Sequence, residues 1–441
     1  MTTPRLPDTT PRTSRSHVVR NLVLVLTIAV AQVGVALALT RSPLAGLVGV
    51  VVALVAALLL VYPGVGLAVA LATCFAASRV GPSRLDMSVS DLVLIATSLA
   101  AIPHVPWNNR HVRQVLAVGA LYITMLSLNV LITPHRTAVL ELGHRAFLVV
   151  GSLMVGAAIA NRGRTVLALQ AFVLTATCFG IGAVVTTLTN HLQPAYVLGY
   201  HKNFVGPLLM MAIMVSVASS ELLDLPRVTL IIARCCMLAG LVATQSRAAI
   251  IGGGCAFIVW AIRSGRLKRH LPLLTLVLGA ATYFVSQTVS RDTADKSNYQ
   301  FNTVGSRVKV YEIALRLWRE HPIFGFGIRW FRDPAAPTTE PHSSLVATLS
   351  ETGVWGLLSV ILLFGLTMLL LYKRQGSLPL AAFAVLAARL VESQLAIFWV
   401  AGTMTLPWLL AGLALATNTD DPPAVDSVAH RRQPLVAGRT T

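Results

Sequence analysis

Long apolar segments alternate with short polar ones along almost the whole chain, and most of the apolar segments run for about 20 residues. A helix of about 20 residues crosses the ~30 Å hydrocarbon core of a membrane. Backbone groups inside lipid must be hydrogen-bonded within the protein, which favours helices. A β-barrel would show alternating apolar and polar positions, and the continuously apolar stretch 48–61 does not alternate. The pattern therefore predicts an all-α, polytopic bundle of membrane-spanning helices.

The apolar segments predict about 14 spans, and weak separations at Pro63 and at Gln245 leave about 12 or 13 possible. The predicted spans are 21–39, 43–61, 64–79, 89–103, 114–132, 145–160, 165–187, 203–220, 228–244, 247–262, 271–287, 345–372, 378–396 and 399–416. They divide the chain into an N-terminal tail (1–20), the first eleven spans (21–287), a long loop (288–343), the last three spans (344–416) and a C-terminal tail (417–441).

Composition and charge agree with a membrane protein. Hydrophobic residues make up 55% of the chain and charged residues only 12%, which leaves too little polar surface for a water-soluble domain. The formal net charge is +18, but the basic residues that produce it lie between the apolar segments and form no continuous basic domain. No nucleic-acid partner is therefore expected.

The basic residues predict the orientation of the chain. With the N-terminus in the cytoplasm, the inner segments receive Arg5, Arg12, Arg15, Arg20, Arg110, Arg113, Arg162, Arg164, the cluster 263–269, Lys373 and Arg374. This positive-inside distribution predicts a cytoplasmic (inner or plasma) membrane protein with both termini in the cytoplasm. The loop 288–343 is then extracytoplasmic.

The second half of the long loop has a helical pattern. Over 306–320 one face would carry Arg307, Tyr311, Ala314 and Trp318, which predicts an amphipathic helix near the membrane surface. The proline and two glycines of the following segment, 322–327, are expected to end that helix and turn the chain.

Several short motifs occur in a fixed order on the predicted outer side. Ser246-Arg247 opens a span, Arg307 and Tyr311 lie in the loop, and segment 321–327 reads His-Pro-x-x-Gly-x-Gly. Segments 342–344, His-Ser-Ser, and 351–353, Glu-Thr-Gly, then follow. In this order the chain resembles the O-antigen ligase and O-antigen polymerase superfamily, most closely over about residues 232–370. A weaker similarity precedes it at 199–203, Gly-Tyr-His-Lys-Asn.

The resemblance implies a glycosyltransferase of cell-envelope or exopolysaccharide biosynthesis. Such an enzyme transfers a glycan from a polyprenyl-diphosphate carrier to an acceptor hydroxyl on a glycan, lipid or protein, at the outer face of the membrane. The donor would enter laterally from the lipid bilayer. No outer segment has the Asp-x-Asp spacing typical of metal-dependent transfer, so we expect neither a metal nor a cofactor.

The resemblance also assigns roles to individual residues. Arg247 and Arg307 would bind and stabilise the departing diphosphate, and His342 would take the proton of the attacking hydroxyl. The other expected substrate-binding residues are Tyr311, Ser343 and Lys202.

One position departs from the family, which commonly has His-Asn where this chain has His342-Ser343. Ser343 can still donate a hydrogen bond, so the orientation of the histidine rather than its role is in question. Glu351 is expected to cap or brace the helix rather than share the proton. Arg389 and Glu392 are expected to form a buried structural pair near the middle of the membrane, away from the outer site.

Two alternatives remain. Polysaccharide polymerases share these motifs with ligases, and the sequence does not separate the two activities. A transporter or lipid-glycan flippase would also be polytopic and basic, but transporters commonly contain internal repeats, and we find none in the sequence.

Overall fold

A computed structural model describes residues 57–59, 61–76, 79–80, 87–134, 137–269, 279, 303–333, 335–396, 399–400 and 402–417. These residues are mostly helical. The strands among them are two residues long, and Arg79–Val80 pairs antiparallel with Met87–Ser88. The predicted spans 21–39, 43–61 and 271–287 and both tails lie wholly or largely outside the described residues.

The helices, in chain order, are α1 (Pro63–Ala72), α2 (Val89–Ala101), α3 (Arg110–Ile132), α4 (Ala138–Asn161), α5 (Thr165–Thr189), α6 (Lys202–Ala218), α7 (Arg227–Thr244), α8 (Arg247–Arg263), α9 (Thr303–Glu320), α10 (Ser344–Tyr372), α11 (Ser377–Glu392) and α12 (Thr405–Ala416). Short turns of helix add Thr73–Phe75, Ile102–His104, Val197–Gly199 and Trp330–Arg332, and α4 contains a π-helical turn at Phe147–Gly151.

Each predicted span within the described residues overlaps a helix. Five of these helices, α3, α4, α5, α7 and α10, are long and apolar enough to cross a membrane. Helix α4 begins at Ala138, well before the predicted start at 145. The prediction stopped short because Glu141, His144 and Arg145 look like the polar end of a span. In the fold they lie inside the helix and are paired.

The termini of the helices lie at two opposite ends of the bundle, and at each end they contact one another. At one end, the Asn129 amide of α3 donates to the Phe324 carbonyl, 2.7 Å away. Ser246, before α8, likewise donates to Asn203 of α6 over 3.1 Å. We call this the loop end, because the segment 321–343 lies there. At the other end, Arg263 donates to the Tyr372 carbonyl over 2.8 Å.

Helix α9 covers the segment 306–320, for which the sequence predicted an amphipathic helix. Its face with Ala314 is turned inward: Ala314 is fully buried, and its carbonyl accepts a 2.7 Å hydrogen bond from the hydroxyl of Ser350 in α10. Arg316 and Arg319 lie on the exposed face. The helix is therefore fixed on the first turns of α10.

Helix α10 is broken at Gly353, where the backbone has φ 65° and ψ −166°. The segment 322–327 fills the break. Its amides at Phe326 and Gly327 donate to the carbonyls of Ser350 and Glu351, over 3.2 and 2.7 Å. Its carbonyls at 322 and 323 accept from the two amides that follow Gly353, at 2.9 and 3.1 Å. The backbone groups freed by the break are thus paired by the loop.

Two glycines make this close approach possible. A Cβ at Gly353 would lie 2.1 Å from the Ile323 carbonyl oxygen, and one at Gly325 would lie 2.5 Å from the Glu351 carbonyl. Both glycines also have positive φ. The His-Pro-x-x-Gly-x-Gly and Glu-Thr-Gly motifs, distant in sequence, therefore form one structural unit.

Candidate functional site

His342 lies at the loop end, immediately before α10, and is partly buried. Ser343 follows it as the N-cap of the helix: its hydroxyl accepts from the Val346 amide at 3.4 Å and donates to Oε1 of Gln394 at 2.9 Å. The hydroxyl of Ser343 is thus held within the protein, and the residue is only 7% exposed.

Two other side chains, Arg307 and His201, act electrostatically on His342. Burial lowers the pKa of His342, and the positive charge of Arg307 and the nearby His201 lower it further. Burial raises the pKa of Tyr311, although Arg307, one turn away on α9, opposes that shift. The charges of Arg307 and His201 thus affect His342, and the charge of Arg307 also affects Tyr311.

Lys202 and Arg247 lie at the first positions of two neighbouring helices. Lys202 begins α6, and burial together with its charge lowers the pKa of His201 just before it. Arg247 begins α8, and the Ser246–Asn203 hydrogen bond joins the starts of the two helices. The N-termini of α6 and α8 and these side chains all favour a bound anion.

These groups supply two kinds of chemistry. Arginine and lysine side chains with helix N-termini can bind diphosphate oxygens. A histidine with a lowered pKa is neutral at neutral pH, and its free ring nitrogen can accept a proton. Among the described residues, no three His, Cys, Asp or Glu side chains are arranged to hold a metal ion.

A cluster of buried charges near this site was not predicted. We call it the buried charge network, and its members are Asp91, Glu141, His144, Arg145, Arg329 and Glu351. Glu141 is central: Arg145 Nε lies 3.0 Å and Arg329 Nη1 2.5 Å from its carboxylate oxygens. His144 Nε2 lies 2.9 Å from Asp91 Oδ1.

The network ties the loop to the helices. Arg145 also approaches Glu351 at 3.9 Å and lies 4.5 Å from the centre of the Trp399 ring. Arg329 follows the 321–327 loop, and Glu351 lies at the end of the first part of α10. Their contacts with Glu141 and Arg145 therefore hold the loop and the start of α10 against α4. Glu351 thus braces the structure, as expected. The sequence feature that could have predicted the network is the spacing of Glu141, His144 and Arg145, because residues at i, i+3 and i, i+4 lie on one face of a helix.

The predicted Arg389–Glu392 pair is confirmed, with 3.3 Å between Arg389 Nη1 and Glu392 Oε2 and both side chains almost fully buried. Its position differs from the expected one far from the site. The next residue, Ser393, accepts a 2.7 Å hydrogen bond from the Ser344 amide, two residues after His342. The pair therefore lies close to the turn that carries His342.

A comparison with known protein families finds a match to part of the chain. The family model of the O-antigen ligases matches residues 232–361, which include α8, α9 and the first part of α10. No curated protein sequence matches the chain significantly. The resemblance drawn from the motifs is therefore confirmed over this segment, which holds Arg247, Arg307 and His342.

Proposed function

The chain carries an O-antigen ligase domain at residues 232–361, and from this we propose that it is a glycosyltransferase using a polyprenyl-diphosphate-linked glycan as donor. The acceptor is a hydroxyl group on a glycan, lipid or protein at the outer face of the cytoplasmic membrane. One observation carries the proposal: within the matched segment, the hydroxyl of Ser350 in α10 donates to the Ala314 carbonyl of α9 over 2.7 Å, which packs the helix of Arg307 against the helix that follows His342.

In the reaction, the acceptor oxygen forms a bond to the anomeric carbon while the bond from that carbon to the diphosphate breaks. His342 takes the proton of the attacking hydroxyl. The electron pair of the broken bond leaves with the polyprenyl diphosphate, whose added negative charge is stabilised by Arg247 and Arg307, with Lys202 nearby. Tyr311 remains a predicted glycan contact. Since the Ser343 hydroxyl bonds to Gln394, we assign Ser343 to holding the turn.

The function is tested with purified full-length protein in detergent, a polyprenyl-diphosphate-linked disaccharide and a panel of acceptor glycans. We expect transfer without any ion gradient, because both bond changes occur at one site. A flippase or transporter would bind the donor without forming a product. Product length distinguishes the two transferases: a ligase attaches one preformed chain, whereas a polymerase extends the glycan repeatedly.

A topological prediction follows from the proposed site. In a variant lacking the five native cysteines, Thr339→Cys should react with a membrane-impermeant maleimide in intact cells. Arg266→Cys should react only after the cells are broken open. The reverse pattern would put the 321–343 segment in the cytoplasm and remove the site from its donor.

Metal independence is a separate prediction. Arginine and lysine charges are proposed to neutralise the diphosphate in place of a cation, so transfer should be unchanged after EDTA treatment. Loss of transfer that returns with added magnesium or manganese would contradict this mechanism.

The rate should fall on the acid side as His342 becomes protonated. Because the pKa of His342 is lowered, the acid limb is expected below pH 6.5, the ordinary histidine value. Arg307→Gln removes one of the charges that lower the pKa of His342. The residual transfer rate of this variant should therefore begin to fall at a higher pH than that of the unmodified protein. Arg307→Lys keeps the charge and should leave the limb in place. An unchanged limb in Arg307→Gln would show that another group titrates.

A further inference from the structure

The two residues that follow α11, Ser393 and Gln394, hydrogen-bond to the turn that carries His342. The Ser343 hydroxyl donates to Gln394 Oε1 at 2.9 Å, and Gln394 Nε2 donates to the Ser344 hydroxyl at 3.2 Å. The Ser344 hydroxyl also donates to the Ser393 hydroxyl at 2.8 Å, and the Ser344 amide donates to the Ser393 carbonyl at 2.7 Å. One glutamine side chain therefore contacts both residues that follow His342.

Gln394 is itself fixed. Its Nε2 donates to the Ser393 hydroxyl at 2.7 Å, and Ser393 is fully buried. The turn begins at the buried Arg389–Glu392 pair, where Arg389 also donates to the Thr403 hydroxyl at 3.3 Å. A glutamine held in this way loses little additional conformational freedom when it binds the two serines.

His342 depends on its backbone for position. In the part of the chain that the structure describes, the His342 ring makes no hydrogen bond, and its surroundings act on it through burial and charge. Pro341 before it is buried and has a restricted φ. Ser343 after it is held by Gln394. The position of the His342 backbone, and with it the direction of the Cα–Cβ bond, is thus set by a short segment anchored at both ends.

We propose that Gln394 is a positioning residue for His342, holding residues 343 and 344 so that the imidazole points at the acceptor hydroxyl. This inference rests on the proposed function. A general base must lie within hydrogen-bond reach of the proton that it removes, and a displacement of about 1 Å can cost about 100-fold in rate. Gln394 touches no reacting atom and acts only through the position of His342.

The test uses Gln394→Leu, which keeps the size of the side chain and removes both hydrogen bonds to the serines. Turnover at saturating acceptor should fall about 10- to 100-fold. Binding of a fluorescent polyprenyl-diphosphate disaccharide should change less than about threefold, since the arginines are untouched. The control is Gln170→Leu, which breaks a 2.7 Å bond to the Leu223 carbonyl elsewhere in the bundle. It should leave turnover unchanged.

A double variant separates positioning from general structural damage. If Gln394 acts through His342, then adding Gln394→Leu to His342→Ala should cause almost no further loss, because residues that act as a unit are not additive. Multiplication of the two losses would overturn the proposal. Gln394→Glu keeps the acceptor oxygen for Ser343 and should retain more turnover than Gln394→Leu. It also serves as the test variant if the leucine variant does not fold.

Failure of this inference differs from failure of the proposed function. Normal turnover in folded Gln394→Leu, with His342→Ala inactive, would overturn only the positioning role. Normal turnover in His342→Ala would overturn the assignment of the base, and with it the premise of this proposal. Equal losses of donor binding and turnover in Gln394→Leu would show a structural role and also contradict the inference.

Discussion

Replacing His342 with alanine is expected to lower turnover about 10²- to 10⁴-fold while donor binding persists, the usual contribution of general acid–base catalysis. The imidazole is partly buried, and burial together with the charges of Arg307 and His201 lowers its pKa, which favours the neutral form that can accept a proton. The variant should insert normally, because the ring makes no hydrogen bond within the described residues. The measurements are turnover at saturating acceptor, donor binding and the amount of folded protein.

Arg247→Lys should fail in a different way. Lysine keeps the positive charge but loses the planar, two-pronged donor, so stabilisation of the departing diphosphate should weaken and donor binding should fall with turnover. Arg316→Lys on the exposed face of α9 is the matched control and should have no effect.

Near-normal turnover in correctly inserted His342→Ala would contradict the first prediction and assign the general base to another residue. His201 would be the first candidate, since Glu351 is buried beside Arg145.

Replacing Arg145 with methionine is expected to remove most of the folded protein. Arg145 lies between Glu141 and Glu351, and its loss leaves two buried carboxylates short of a cation. Breaking a buried ion pair on one side costs about 3–5 kcal/mol, a large part of the stability of many proteins. The readouts are protein abundance in the membrane and thermal unfolding in detergent.

Two variants check this explanation. Arg332→Met breaks the more exposed 3.2 Å pair with Glu340 and should cost no more than about 1 kcal/mol. Adding Glu351→Gln to Arg145→Met removes one uncompensated charge and should recover part of the lost protein. Normal abundance and unfolding temperature in Arg145→Met alone would show that the network contributes little to stability.

The sequence predicted local features well. Helices such as α3 and α5 appear in the apolar pattern because hydropathy is summed along one continuous segment. The amphipathic α9 was predicted for the same reason, since a helical face repeats within a few residues. The short motifs also placed His342 and Arg307 in one segment, now matched by the family model.

Interactions between distant segments were not predictable in this way. The partners of Glu141 come from α4 itself and from the loop after α9, so its charge looked like the end of a span. Likewise, α11 was predicted to run to 396 but ends at Glu392, where the next residues turn to bind α10. The hydrogen bond between Gln394 and Ser343 joins the end of α11 to the start of α10, and no local sequence pattern predicts it.

The break in α10 separates adaptation to the lipid from the geometry of the site. The segment after Gly353, 354–372, is long enough to cross the hydrocarbon core and can tilt when membrane thickness changes. The segment before it, 344–352, is bound to α9, the 321–327 loop and α11. The loop also binds the amides of Val354 and Trp355. We therefore expect a change of tilt to bend α10 beyond Trp355, so that His342 keeps its surroundings in membranes of different lipid composition.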